Sequence, residues 1–327
     1  MRAAVITRPG EADVFAIEEV DEPDCGPEDV LIAVHATALN RADLLQRRGR
    51  YPGPAGTRDD IPGLEMAGVV ERVGERVTAW RAGDRVMALL GGGGYAARVS
   101  VHERLLMAIP EGLECVQAAA IPEVFLTAYD ALVRQCELAV GESVLVHAAG
   151  SGVGTAAIQL AAAASCRVFG TASSAEKLEQ ARALGLDVGI NYREEDFSEV
   201  IARETGGRGV EVVLDVIGAP YWEGNLASLA VQGRMVIVGT MGGGSLEVNL
   251  GALMGKRLRV HGTVLRARPI EQKAQLTQEF ARRALPLFAS GRLRAVVDRV
   301  FALDEAAAAH RYMESNANFG KIVLAVA

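Results

Sequence analysis

The sequence predicts an α/β protein in which a doubly wound parallel sheet is inserted into a discontinuous, β-rich partner domain. Two observations predict it. Between residues 143 and 263, short apolar strand runs alternate with amphipathic helical runs, the pattern of a parallel sheet covered on both faces. On either side, short β runs and turn chemistry dominate, and the C-terminal pieces have no layer of their own. They are expected to rejoin the N-terminal strands. The outer domain is therefore read as residues 1–121 and 267–327 and the inserted one as 122–266, two domains being the natural division of 327 residues.

The N-terminal strands are read at 3–7, 15–20, 29–38, 68–73, 85–89 and 96–101, with turn-rich segments at 22–27, 53–62 and 91–94. Val30-Leu31-Ile32-Ala33-Val34 is continuously apolar, whereas Arg98-Val99-Ser100-Val101 alternates, as in a small twisted barrel. A helix is expected over 125–135. The inserted sheet then takes six strands, at 143–147, 166–171, 188–191, 210–215, 234–238 and 258–263. Beyond it, Leu276, Phe280, Leu285, Leu287 and Phe288 recur at near-helical spacing and predict one long helix over 269–290. A strand at 296–301, a helix at 305–314 capped by Asp304, and a closing strand at 322–326 complete the chain.

The most informative stretch is residues 143–154, SVLVHAAGSGVG, followed by TAAIQLAAAA. It reads as a strand, a tight turn of small residues, and a helix whose N-terminus points back at the turn. Free backbone N–H groups and the helix dipole make such a corner an anion site suited to a pyrophosphate. The dinucleotide fingerprint G-x-G-x-x-G falls in the register Ala149-x-Ser151-x-x-Gly154, at the first βα corner of the series. Ser151, Gly152, Val153 and Gly154 are expected to offer backbone N–H groups to a dinucleotide.

An NAD site carries a carboxylate at the end of the second strand, about twenty residues past the first glycine. Here that strand ends Gly170-Thr171-Ala172-Ser173-Ser174, and Lys177 follows on the next helix. Ser173, Ser174 and Lys177 suit a 2′-phosphate, so NADPH is the expected cofactor. Ligands of such sheets sit at the carboxyl ends of the strands. Ile217, Gly218, Gly239, Met241, Thr263 and Leu265 are expected there, the glycines permitting close approach.

A formal net charge of -7 and no Lys/Arg cluster argue against a nucleic-acid surface. Cys25, Cys115, Cys136 and Cys166 lie far apart and read as reduced thiols. No secretory leader is evident, no apolar run is read as long and unbroken enough to span a bilayer, and a cytoplasmic location is expected.

Several stretches resemble the zinc-free quinone oxidoreductases of the medium-chain dehydrogenase/reductase superfamily: NRADLLQRRGRYP (40–52), GLEMAG (63–68), AAAIPEVFLTAYDAL (118–132), SGVGTAAIQLA (151–161) and FGKIVL (319–324). RRGRYPGP and GSGVGTAAIQL are most similar to the tumour-suppressor-inducible subgroup. The resemblance covers the full chain and implies a Rossmann domain inserted into a GroES-like β-barrel catalytic domain. It also implies Tyr192 near the 2′-phosphate, Thr127 on the nicotinamide, and Phe319 and Lys321 closing over the cofactor.

Zinc-dependent members place a Cys at or near Arg41 and a His in a G-H-E triplet. Here the residues are Asn40-Arg41-Ala42-Asp43 and Gly63-Leu64-Glu65, and glycines 91–94 stand where a cysteine-rich loop would be. Glu65 and Asp43 are too few for catalytic zinc, which needs three protein ligands, and the five histidines are isolated, so no metal is expected. Without a Lewis acid an alcohol is not readily ionised, and a quinone is the better acceptor. The expected activity is NADPH:quinone reduction, with Asn40 donating its amide N–H to the quinone oxygen. Tyr51 would stack and donate its phenol, and Ser151 would touch both cofactor and substrate. The alternatives are an NADPH-dependent enoyl or enone reductase, and a non-catalytic NADPH-binding redox sensor. An edge strand at 257–263 favours a homodimer.

Overall fold

The structure, a computed structural model, describes residues 1–54 and 56–326; Ala55, within the turn-rich segment 53–62, and the terminal Ala327 lie outside the described residues. The chain divides into two units, Met1–Leu126 with Leu265–Ala327, and Thr127–Val264.

The first unit opens with β1 (Arg2–Ile6) and β2 (Phe15–Glu19), an antiparallel ribbon. Its main sheet contains β3 (Asp29–Ala38), β4 (Glu65–Val73), β5 (Arg85–Leu89), β6 (Arg98–His102) and β7 (Leu106–Ala108), the last too short to be read from its sequence. Val30, Ile32 and Val34 of β3 pack with Met66, Val70, Val86 and Val99 in one buried cluster. Leu31 is buried as well, which is why the run reads as continuously apolar rather than alternating. The β3–β4 register shifts between Val34 and Ala36, and a Cβ on Gly68 would lie 2.0 Å from the Ala33 carbonyl oxygen. Only glycine permits that approach.

The second unit carries β8 (Ser143–Val146), β9 (Arg167–Ala172), β10 (Val188–Asn191), β11 (Val210–Asp215), β12 (Leu229–Ile237) and β13 (Arg259–Gly262). All pair in parallel, in the order β10-β9-β8-β11-β12-β13. The order reverses direction between β8 and β11, which is where such a sheet opens a crevice for ligand. β12 begins five residues before the expected start at 234 and reaches back to Leu229, where it meets Val210 beside a register shift.

The C-terminal β14 (Val297–Ala302) and β15 (Lys321–Ala325) join the first unit's sheet, β15 lying parallel to β14 and antiparallel to β3. The expected long helix is two, Ile270–Arg283 and Pro286–Ala289. Pro286 has no N–H to continue the ladder, so the apolar spacing runs across a break. Asp304 caps no helix. It pairs with Arg2, and the carboxylate of Glu305 instead accepts the Ala302 N–H at 2.9 Å.

The expected helix over 125–135 starts earlier, as Pro122–Tyr129, and widens to π geometry over Asp130–Gln135. The helical run Cys115–Gln135, 21 residues long, contains an 18-residue window with a mean hydropathy of 1.2, long and apolar enough by composition to cross a membrane, contrary to the sequence expectation. Most of its apolar window, 72%, is buried inside the fold.

Candidate active site

In the second unit the elbow after β8 is built by one side chain. Ser151 is the N-cap of the helix Gly152–Ala163, and its Oγ accepts the Gly154 N–H at 2.9 Å. Its own N–H donates to the Ala148 carbonyl at 2.8 Å. This corrects the expectation that four N–H groups face a pyrophosphate: those of Ser151 and Gly154 are used inside the turn. Gly152 and Val153 have no acceptor among the described residues, and they stand at the positive end of a helix of 12 residues. That pair fits a pyrophosphate. Gly154 is required by the turn itself, since a Cβ there would lie 2.2 Å from the Ala148 oxygen.

At the end of β9, Ser174 caps the helix Ala175–Arg182 and accepts the Lys177 N–H at 3.4 Å, leaving its hydroxyl proton to donate elsewhere. Ser173 and Lys177 are half-buried beside it. Tyr192 is exposed after β10, with its ring centroid 6.4 Å from that of Tyr221.

Beneath the crevice lies a buried polar chain that the sequence did not announce. Asn225 donates through Nδ2 to Asp215 at 3.2 Å, so its Oδ1 accepts from His147 Nε2 at 2.7 Å. The Nδ1 of His147 is then an acceptor, bonded by Thr171 Oγ1 at 3.0 Å. Burial lowers the His147 pKa to about 4 and keeps the ring neutral. Asp215 in turn accepts the N–H groups of Ile217, at 2.7 Å, and of Gly218, at 3.2 Å, shaping the loop after β11. Gly218 adopts φ +85, and a Cβ there would lie 2.5 Å from the Gly243 oxygen. Glycine is thus demanded at this position by a backbone contact within the protein itself. Gly239 has only an ordinary contact, 3.4 Å to the Val216 oxygen. Met241 is exposed, Thr127 is buried, and Thr263 donates to Asp130 Oδ2 at 2.9 Å. Leu265 is buried in the first unit, where the Phe319 N–H donates to Asp298 at 3.1 Å.

In the first unit, Asn40 and Lys321 come together, but not as expected. Asn40 donates through Nδ2 to Glu65 Oε1 at 3.0 Å and to the Ala38 carbonyl at 3.2 Å, so both amide protons are used inside the protein. In this arrangement neither proton is left over for a substrate oxygen. Lys321, 4% exposed, places Nζ 2.7 Å from Glu65 Oε1, 2.6 Å from Asn40 Oδ1 and 2.5 Å from the Leu39 carbonyl. All three of its donors are engaged, so it is neither a surface lysine nor a cover for a cofactor. The cause is Glu65, a fully buried carboxylate that needs a cation. Pairing of the Leu39 N–H with the Ile322 carbonyl delivers that cation from the far end of the chain. Glu65 Oε2 meanwhile accepts the Glu123 N–H at 2.8 Å, on the first turn of Pro122–Tyr129.

Behind this cluster, Asp43 accepts from the Asn40 N–H, the Gly63 N–H and the Tyr95 hydroxyl, and burial pushes its pKa up to about 6. Tyr95 is 3.2 Å from His310 Nε2, and Arg47 approaches the other ring nitrogen at 3.3 Å. Tyr51 is half-buried in the loop after the helix Arg41–Arg47, and its hydroxyl has no hydrogen bond to a described residue. Burial raises its pKa, so the phenol keeps its proton at neutral pH. The guanidinium of Arg266 lies over its ring, 5.0 Å from the centroid. Nothing in the sequence around Arg266 marks it.

Residues 26–111 match the family described as the alcohol dehydrogenase GroES-like domain, and residues 152–283 the one described as zinc-binding dehydrogenase. A quinone oxidoreductase of Pseudomonas aeruginosa is 34% identical over 320 residues, 96% of each chain. The chain belongs to the medium-chain dehydrogenase/reductase superfamily. Its two units are the GroES-like and Rossmann-like parts of that superfamily. Among solved structures of the superfamily, an NAD-dependent alcohol dehydrogenase superposes with a TM-score of 0.90 at 34% identity, covering 100% of both chains. The Escherichia coli quinone oxidoreductase complexed with NADPH gives 0.87 at 32%, also covering 100% of both. The CurK enoyl reductase gives 0.89 at 30%, covering 99% and 98%.

The zinc of the family description does not fit the residues of this superfamily member. Glu65 is occupied by Lys321 and Asn40, and Asp43 accepts from three donors. No three His, Cys, Asp or Glu side chains converge among the described residues.

Proposed function

We propose that this superfamily member is a zinc-independent NADPH:quinone oxidoreductase, akin to the tumour-suppressor-inducible subgroup. The observation that carries the reading is the Glu65–Lys321–Asn40 cluster. The carboxylate of the G-L-E triplet already holds an ammonium, so no donor set stands among the described residues for the Lewis acid that alcohol oxidation uses. An acceptor that takes a hydride unaided, a quinone, answers to that arrangement.

The Gly152 and Val153 N–H groups hold the pyrophosphate of the cofactor. Ser173, Ser174 and Lys177 hold the 2′-phosphate, and no carboxylate at the end of β9 opposes it. Thr127, Tyr192, Ile217, Met241 and Thr263, all of the second unit, would hold the rest of the cofactor. Bound NADPH supplies the hydride. Tyr51 stacks on the acceptor, and its protonated phenol donates a hydrogen bond to the oxygen on which charge develops. Solvent protonates the product. Ser151 serves as the helix cap rather than as a reacting group.

The protein is proposed to work as a homodimer in the cytoplasm, its cysteines reduced. A screen of p-benzoquinone and an α,β-unsaturated ketone with NADPH or NADH tests the activity. Quinone turnover is expected, with NADPH favoured by at least about tenfold, roughly one charge-assisted hydrogen bond. A chelator is expected to change nothing. Turnover of the enone alone would move the protein to the enoyl reductases, the class the CurK likeness favours. Failure with every acceptor would leave a redox sensor.

A further inference from the structure

We propose that Arg266 is the positioning residue of the acceptor site, clamping the loop that carries Tyr51. The inference rests on the reading of Tyr51 as the acceptor-binding side chain.

Arg266 is 4% exposed and has no carboxylate within ion-pair distance among the described residues. Burial lowers the pKa of this guanidinium, and the carboxylates of Asp43 and Asp59 offset that from beyond ion-pair distance. What it has at hydrogen-bond distance is three neutral acceptors on three separate segments, two backbone carbonyls and one side-chain amide. Nε donates to the Gly91 carbonyl at 2.7 Å, in the loop after β5. Nη1 donates to the Tyr51 carbonyl at 2.9 Å. Nη2 donates to Gln46 Oε1 at 2.7 Å, on the helix Arg41–Arg47. The face of the same plane covers the Tyr51 ring, so one side chain fixes both the backbone and the ring of that residue.

Gly53 lies against the guanidinium: a Cβ there would come 3.2 Å from Nη2, after meeting Thr57 Oγ1 at 2.3 Å and Asp59 Oδ1 at 2.7 Å. The loop is closed from the other side by Asp59, whose carboxylate accepts the Gly53 N–H and whose carbonyl accepts from Gln46. A lysine cannot replace this arrangement. Its single ammonium lacks the planar fork that serves acceptors in several directions while stacking on a ring. Two of the five guanidinium protons remain uncommitted over the Tyr51 ring, so Arg266 can itself donate to an acceptor that stacks there.

The test is a double-mutant cycle in the full-length protein. Arg266→Lys is expected to raise the acceptor KM about tenfold, with kcat within about twofold and NADPH affinity unchanged, because misplacement of a binding group weakens acceptor binding first. Tyr51→Ala is expected to do at least as much. The double variant should be no worse than Tyr51→Ala alone. Gln46→Ala, which removes one of the three acceptors, should give a smaller change of the same kind and keeps the question answerable if Arg266→Lys misfolds. An unchanged acceptor KM in Arg266→Lys or Gln46→Ala, with Tyr51→Ala impaired, overturns the clamp and leaves the function standing. Fully additive effects also overturn it, since Arg266 would then act apart from Tyr51. An ineffective Tyr51→Ala overturns both readings.

Discussion

His147 shows how a single buried side chain carries both architecture and a pH signature. It donates to Asn225 and accepts from Thr171, so the neutral ring satisfies both neighbours and a second ring proton would meet the Thr171 hydroxyl. Its pKa is lowered to about 4 by burial, against an ordinary value of 6.5. The unfolded chain therefore takes up a proton below pH 6.5 that the folded chain refuses, and stability falls from there down to about pH 4. His310, lowered to about 3, acts in the same direction. Asp43, raised to about 6, acts oppositely: its contribution is full below its ordinary 3.8 and is lost as pH rises through 6. His147→Gln is expected to flatten the acid slope by up to one proton, about 1.4 kcal/mol per pH unit, in urea unfolding between pH 6.5 and 4.5. An unaltered slope would mean that the ring is not held neutral. Lys321 makes the complementary case, because its ammonium is the only cation on Glu65 among the described residues. Lys321→Met strands that carboxylate and is expected to cost about 3–5 kcal/mol, while adding Glu65→Gln should recover most of the loss.

At the scale of elements, the elbow separates glycines that the backbone demands from those it merely tolerates. A methyl at Gly154 would meet the Ala148 oxygen at 2.2 Å, whereas one at Gly239 would make an ordinary contact at 3.4 Å. Gly154→Ala is expected to weaken NADPH binding more than about tenfold, and Gly239→Ala to leave it within about twofold, by fluorescence titration. Equal effects would mean that the turn does not hold the cofactor. The same comparison shows what the sequence could and could not reveal. Strand, turn and helix at 143–163 were legible because period and small residues agree locally, and the six strands followed from the same alternation. The helix over 269–290 misled because its apolar spacing persists across Pro286. Asn40 was read as a donor to substrate because its partners, Glu65 and Lys321, lie 25 and 281 residues away. Arg266 was invisible for the same reason: its partners come from positions 46, 51 and 91, and no local pattern announces them.

At the scale of the whole molecule, the second unit leaves one side of its sheet unfinished. β13 is an edge strand, and its outer N–H and C=O groups have no neighbouring strand. The helix that precedes it, Leu250–Lys256, buries none of its residues, and Met254 and Leu250 are 76% and 66% exposed. Met241 and Val264 are exposed in the segments that flank this helix and strand. An apolar surface of this kind beside an open edge suits association, and on the homodimer proposal a second copy of the chain related by a two-fold axis would pair edge with edge. Sedimentation equilibrium is expected to give twice the chain mass at micromolar concentration. Leu250→Lys with Met254→Lys, which places two charges on the patch without disturbing any buried contact, is expected to shift the mass to that of one chain while leaving the Rossmann-like unit folded and able to bind NADPH. A wild-type protein that sediments as a monomer would show that the exposed helix and edge serve something other than self-association.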